Sequence, residues 1–195
     1  MTIDYSMTHW ATFFVAALLL NLTPGPDMAF ILAQTVKGGV KKGFSAMFGI
    51  WSGAFVHVIF AALGLSAILA TSALAFSMVK WLGAAYLIWL GIQAIRSKGS
   101  TLTIEKELPV DGAMKVYKQG MFVAILNPKT AIFFLAFLPQ FIEPNAGAVS
   151  YQLFLHGFLI IVVAAFVEPP LIVIGGKLTK IVSNNRTVSR WMDRG

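Results

Sequence analysis

Three charged residues, Asp27, Lys129 and Glu168, lie inside long apolar stretches of a chain of 195 residues. Each is nine to eleven residues from the basic residue that flanks its stretch. At about 1.5 Å per helical residue, that spacing corresponds to a depth of about 15 Å. A charge at the bilayer centre costs about 2.5 to 3.5 kcal/mol, and such residues by default indicate a substrate or ion pathway. The sequence therefore predicts one site near the bilayer midplane.

The charges of this predicted site match those of a free amino acid. A zwitterion needs a cation for its carboxylate and an anion for its ammonium group, and Lys129 with Asp27 or Glu168 supplies both. The alternative is a buried ion pair that only fixes the packing, because desolvation of two charges can exceed their attraction.

Two of the charges lie at polar interruptions of the apolar stretches. Asp27 ends the interruption Asn21-Leu22-Thr23-Pro24-Gly25-Pro26-Asp27, and Lys129 ends the interruption Asn127-Pro128-Lys129. Proline removes a backbone donor and ends or kinks a helix. A bilayer tolerates the exposed backbone groups only where they face protein or a water-filled cavity. A similar break is expected at Pro169-Pro170, beside Glu168. The residues predicted to bind substrate are Asn21, Pro24, Gly25, Pro26, Asp27, Asn127, Pro128 and Lys129.

Proton coupling is predicted for Asp27, Glu168 and His57. Apolar surroundings disfavour the charged form of a carboxylate, which makes Glu168 the strongest candidate. Histidine titrates near neutral pH, but a lone histidine such as His57 or His156 is more often a packing residue.

Composition places the chain in a membrane. It is 57% hydrophobic and 12% charged, with a mean hydropathy of +0.78, which is far more apolar than a soluble domain. The net charge of +7 does not indicate nucleic acid, because the basic residues alternate with apolar stretches and form no reader motif. The lipid bilayer is therefore the predicted partner.

The sequence gives no support for an enzymatic function. Cysteine is absent, which excludes thiol catalysis and cysteine metal sites. There is also no HExxH, GxSxG or phosphate-binding glycine loop. We therefore predict a protein that is not an enzyme and has no cofactor or metal site.

Five membrane spans are predicted, at residues 10–36, 44–69, 73–95, 120–142 and 153–176, each long enough to cross the hydrocarbon layer. Thirteen of the 15 basic residues fall on one side of this arrangement. By the positive-inside rule that side is cytoplasmic, and the N-terminus is external. Gly49 and Gly53 form a GxxxG pair, which is interpreted as a helix packing contact.

An internal repeat relates the two halves of the chain. Pro26-Asp27-Met28-Ala29 aligns with Pro128-Lys129-Thr130-Ala131, in spans that run in opposite directions. Paired interruptions in inverted halves are the best sequence indication of a transporter site. The predicted fold is an all-α polytopic bundle, one domain over 1–195, with repeats at about 10–95 and 120–195. Because Lys80-Trp81 is echoed by Arg190-Trp191 near the last residue, a sixth helix is expected to be missing.

Several motifs occur in order along the chain: Pro24-Gly25-Pro26-Asp27; Gly38-Gly39, Gly43, Gly49, Gly53 and Gly64-Leu65; Trp81-Leu82-Gly83-Ala84-Ala85-Tyr86-Leu87; and Asn127-Pro128-Lys129 running on to Phe137-Leu138-Pro139-Gln140-Phe141. Together they resemble the lysine exporter (LysE/RhtB) superfamily of bacterial amino-acid efflux proteins. The resemblance implies a compact inner-membrane exporter of amino acids or small derivatives, driven by the proton gradient, with inverted halves and a dimeric assembly. It also implies a sixth helix, and Glu168-Pro169-Pro170 departs from the family pattern.

Two other functions remain open at this point. A passive channel would conduct solutes without proton coupling, and a membrane scaffold would show no flux. Paired broken spans favour alternating access over a continuous pore.

Overall fold

A computed structural model describes residues 5–96 and 112–184, and its regular structure in these ranges is entirely helical. The helices are α1 (Met7–Leu22), α2 (Pro26–Thr71), α3 (Ala73–Arg96), α4 (Ala113–Leu126), α5 (Pro128–Phe137) and α6 (Val149–Asn184), with a short 3-10 helix at Leu138–Phe141 after α5. The all-α class is therefore confirmed. The echo at 190–195 and the expected sixth helix lie outside the described residues.

Length and composition identify fewer spans than the five predicted. Among the described residues α2 and α6 are long and apolar enough to cross a membrane, and α4 with its continuation through Phe141 makes a third if the bent pair is one span. Met7–Leu22 and Ala73–Trp89 are shorter apolar segments. The protein is thus a multi-pass membrane protein with two or three candidate spans.

The predicted loop between the first two spans is a sharp bend within α2. Gly39 has φ 77° and ψ 179°, a left-handed and non-helical conformation that glycine adopts without steric cost. Residues 35 and 43 would be about 12 Å apart along a straight helix. Instead a Cβ added at Gly43 would meet the Thr35 hydroxyl. The segments 26–38 and 40–71 therefore fold back on each other without an intervening loop.

Helices end at both interruptions around Asp27 and Lys129. Between α1 and α2, the Thr23 amide donates to the Leu19 and Leu20 carbonyls at 3.1 and 3.0 Å. Between α4 and α5 the chain bends by 55°. Pro26 and Pro128 each take the first helical position, where the missing N–H would have no helical acceptor.

The expected break beside Glu168 is wrong. Pro169 and Pro170 lie inside α6, which continues from Val149 to Asn184.

Small residues let α2 and α4 approach closely. A Cβ added at Gly53 would lie 2.5 Å from the Met121 carbonyl oxygen and 2.6 Å from Ala124 Cβ. One added at Gly120 would lie 2.6 Å from the Ala46 carbonyl oxygen. The GxxxG pair therefore packs within the protein, and α2 has its most extensive contacts with α4 and α6.

This contact predicts opposite effects for two glycine substitutions in the same helix. Gly53→Ala should lower stability, because overpacking costs about 1 to 3 kcal/mol. Gly64→Ala is the matched control: nothing lies within 4 Å of an added Cβ there, and alanine should stabilise the helix by up to about 1 kcal/mol. Thermal unfolding in detergent measures both variants. Equal unfolding temperatures would contradict the close approach of α2 and α4.

Candidate functional site

Asp27, Lys129 and Glu168 line one cavity. Its walls come from the end of α1, the start and middle of α2, α5 and the middle of α6. The volume that the centre of a water-sized sphere can reach is about 100 Å³. One water needs about 10 to 15 Å³ by this measure, so the cavity holds several waters or a small solute. The three charges that the sequence placed at one depth thus surround one space.

The Asp27 carboxylate is held by two side chains from the other interruption. Asn127 Nδ2 donates to Asp27 Oδ1 at 3.1 Å, and Thr130 Oγ1 donates to Asp27 Oδ2 at 2.9 Å. These bonds join the first turn of α2 to the first turn of α5. They fix the orientation of the carboxylate at the cavity wall.

Asn127 is buried and uses both ends of its amide within the protein. While Nδ2 binds Asp27, Oδ1 accepts the Lys129 backbone N–H at 3.0 Å and so caps α5. Asn127 does not line the cavity, nor do Pro24, Pro26 and Pro128. The structure therefore makes Asn127 a positioning residue.

The Lys129 ammonium group makes one hydrogen bond among the described residues. Nζ donates to the Pro24 carbonyl oxygen at 3.4 Å, and a Cβ added at Gly25 would lie 2.9 Å from Nζ. No described carboxylate forms an ion pair with Lys129, whereas His9 and Glu143 pair elsewhere. Because an ammonium group carries three donors, two have no acceptor in the described part of the chain and can serve a ligand in the cavity.

Backbone amides add donors beside this ammonium group. At the start of α2 the Ala29 N–H bonds to the Gly25 carbonyl at 2.9 Å. The Asp27 and Met28 N–H groups precede the first helical acceptor, and no acceptor for them occurs among the described residues. Both residues line the cavity. A helix N-terminus with free amides attracts anions.

Glu168 is held by the indole of Trp51. Trp51 Nε1 donates to Glu168 Oε2 at 2.7 Å, and Oε1 has no partner in the described part of the chain. Oε1 is therefore available for a proton or for a cationic group.

The structure does not bring His57 to the cavity. His57 Nε2 lies 3.0 Å from the Ala124 carbonyl oxygen, and the ring stacks on Phe134. Asn21, by contrast, does line the cavity and donates to the Ala17 and Ile160 carbonyls at 2.8 and 3.5 Å.

The remaining wall of the cavity is mainly apolar. It is formed by Leu20, Met28, Ile50, Phe133, Phe134, Ile160 and Ile161. No group of three metal-ligating side chains occurs within residues 5–96 and 112–184. The site thus combines separated charges with an aliphatic and aromatic surface.

Sequence reasoning missed Thr130 and Trp51. Thr130 follows Lys129 directly in the second interruption, so a hydroxyl one position after the charge was a usable signal. Trp51 gave no such signal, because its link to Glu168 depends on how α2 and α6 are rotated against each other.

The chain belongs to the LysE type translocator family, which matches residues 18–195. A leucine efflux protein of Klebsiella pneumoniae subsp. pneumoniae is 27% identical over 190 residues, covering 97% of this chain and 90% of that protein. A homoserine/homoserine lactone efflux protein of Salmonella typhimurium is 32% identical over 153 residues, covering 78% of this chain and 74% of that protein. No solved structure matches the chain.

Proposed function

We propose that this protein exports amino acids or small amino-acid derivatives from the cytoplasm. The observation that carries the proposal is the placement of the Lys129 ammonium and the Asp27 and Glu168 carboxylates around one cavity. The efflux proteins that resemble the chain support the same function.

In the proposed complex, the substrate carboxylate binds the free donors of Lys129 and the amides of Asp27 and Met28. The substrate ammonium group binds Asp27, whose carboxylate is already oriented by Asn127 and Thr130. The substrate side chain lies against the apolar wall.

Glu168 is proposed to carry the coupled proton, so that export is proton antiport. A net-neutral zwitterion gains nothing directly from membrane voltage, and concentrative efflux therefore needs a coupled ion. Each proton that enters contributes about 2.3 kcal/mol per 100 mV. The unpartnered Oε1 of Glu168 in the same cavity supports this role.

The wider architecture is proposed from the repeat and the resemblance. We propose two inverted halves, related by the proline-led starts of α2 and α5, and a homodimeric assembly in the bacterial inner membrane. The charge distribution supports a periplasmic N-terminus.

Counterflow in proteoliposomes tests the function. Purified protein in vesicles preloaded with an unlabelled amino acid should accumulate the same labelled amino acid, and a panel of neutral, acidic and basic substrates identifies the preferred one. Accumulation that requires a preloaded substrate supports a transporter. Flux without counterflow would favour a passive channel, and no flux with any substrate would favour a scaffold.

Single cysteines test the orientation, since the native chain has none. Asn145 and Lys41 are both exposed and lie on opposite sides of the proposed topology. A membrane-impermeant thiol reagent applied to intact cells should label Asn145→Cys and leave Lys41→Cys unlabelled until the cells are opened. Labelling of Lys41→Cys alone would reverse the topology.

A further inference from the structure

A second polar cluster lies where α1 and α6 begin, away from the cavity. It consists of Tyr5, His9, Glu143, Gln152 and His156. His9 Nε2 and His156 Nε2 face each other at 2.8 Å. His9 Nδ1 lies 3.6 Å from Glu143 Oε1. The cluster connects the start of the chain, the turn before α6 and the first turns of α6.

The hydrogen bonds fix which ring nitrogens carry protons. His156 Nδ1 lies 2.8 Å from the Gln152 carbonyl oxygen, which can only accept. Nδ1 is therefore protonated, and in the neutral ring Nε2 is an acceptor. It follows that His9 Nε2–H donates to His156 Nε2.

The cluster accommodates one added proton while it is closed. That proton goes to His9 Nδ1, which faces the Glu143 carboxylate. A further proton has only His156 Nε2 as its site, and two N–H groups would then face each other at 2.8 Å. Two imidazolium rings at this separation repel. The second proton is therefore compatible only with separated rings.

Few titratable groups other than the two histidines face the cluster. Among the described residues, Glu143 and Tyr151 lie near Tyr5, and Glu143 is the one carboxylate in contact with the histidines. Burial, and next the charge of Glu143, raise the pKa of the Tyr5 hydroxyl. It stays a donor to Gln152 Oε1, at 3.1 Å. The proton balance of the cluster near neutral pH thus lies with the two histidines.

The cluster lies at the end of the α1–α6 contact where both helices begin. His156 and Glu168 are both in α6, 12 residues and about 18 Å apart. Between the cluster and the cavity, Phe13 and Ala17 of α1 are fully buried and Ile160 of α6 is nearly so. Separation of α1 from α6 would open the cavity toward this end, and it would part His9 from His156.

We propose that His9 and His156 form a second proton-binding site that holds α1 against α6 when it carries at most one added proton and releases them when it carries two. Opening toward this end from the closed pair with one added proton therefore takes up one further proton. Acidification shifts the ratio of open to closed protein by up to tenfold per pH unit. The use of this opening in transport rests on the proposed function. The coupling of the opening to proton uptake does not, because it follows from the two histidines themselves.

Distance measurements between two spin labels test the proposal without substrate or transport. Labels at Met7→Cys and Phe154→Cys report on the separation of α1 and α6, at side chains that are 85% and 39% exposed. We expect the long-distance population to grow as the pH is lowered from neutral into the acid range, where histidine takes up protons. With His9 and His156 both changed to glutamine, the amides keep a hydrogen bond but cannot titrate, so the distances should not change with pH.

His57→Gln is the matched control, because His57 contacts Ala124 and not the pair. It should keep the pH response. If the double variant fails to fold, His156→Gln alone tests the proposal, since it also removes the site of the second proton. Distances that do not respond to pH in the native protein, or a response that persists without the pair, would overturn the proposal. Failed counterflow with an intact pH response would instead count against the transport function alone.

Discussion

Lys129→Ala is expected to weaken substrate binding by roughly 10- to 150-fold, while the protein still inserts and folds. The estimate follows from the loss of a hydrogen bond to a charged group, worth about 1.5 to 3 kcal/mol. The side chain donates only one hydrogen bond within the described residues, at 3.4 Å to the Pro24 carbonyl oxygen, so little structure depends on it. Binding of labelled substrate to purified protein measures the effect.

Lys80→Ala is the matched control for this variant. Lys80 is in α3, does not line the cavity, and contributes only its backbone carbonyl to a bond with Gln140. It should bind substrate like the native protein. If Lys129→Ala also binds with native affinity, then Lys129 has a packing role and the carboxylate site is elsewhere.

Glu168→Gln is expected to separate binding from proton coupling. The glutamine oxygen can still accept the hydrogen bond from Trp51 Nε1, which Glu168 Oε2 now accepts at 2.7 Å, so the cavity keeps its shape. The amide cannot take up a proton. Substrate binding and counterflow should therefore stay within a few-fold of native, whereas a pH gradient should no longer drive efflux.

The measurement compares counterflow with efflux driven by an imposed pH gradient in the same vesicles. Lys80→Ala again provides the control, because Lys80 is in α3 and does not line the cavity. It should keep gradient-driven efflux. Retained coupling in Glu168→Gln would assign the proton to another group.

Much of the site could be predicted because the cost of charge in a bilayer is large and independent of packing details. Asp27, Lys129 and Glu168 were therefore conspicuous, and counting residues along helices placed them at one depth. The hydrogen-bond partners of these charges were harder to predict from the sequence. Whether Trp51 faces Glu168 depends on helix rotation, and the fixing of Asp27 by Thr130 depends on how closely two helix starts approach.

The fold shows the same division between strong and context-dependent signals. Proline geometry favours the helix breaks before Pro26 and Pro128. Pro169 and Pro170 have the same geometry, yet α6 continues through them, because neighbouring groups can satisfy the freed backbone of a membrane helix. The bend at Gly39 required a positive φ that the pair Gly38-Gly39 permits but does not dictate.

The contact between Gly25 and Lys129 has a consequence for how relatives of this protein can vary. Gly25 has φ −154° and ψ 179°, an extended backbone that any residue adopts. A larger residue there would displace the lysine ammonium group, because an added Cβ would lie 2.9 Å from Nζ at the flexible end of Lys129. We therefore expect the two positions to covary: a relative with a larger residue at the first should lack lysine at the second or hold its ammonium group elsewhere. Such pairs would identify, from aligned sequences alone, family members in which a lysine at this position cannot have the role proposed for Lys129.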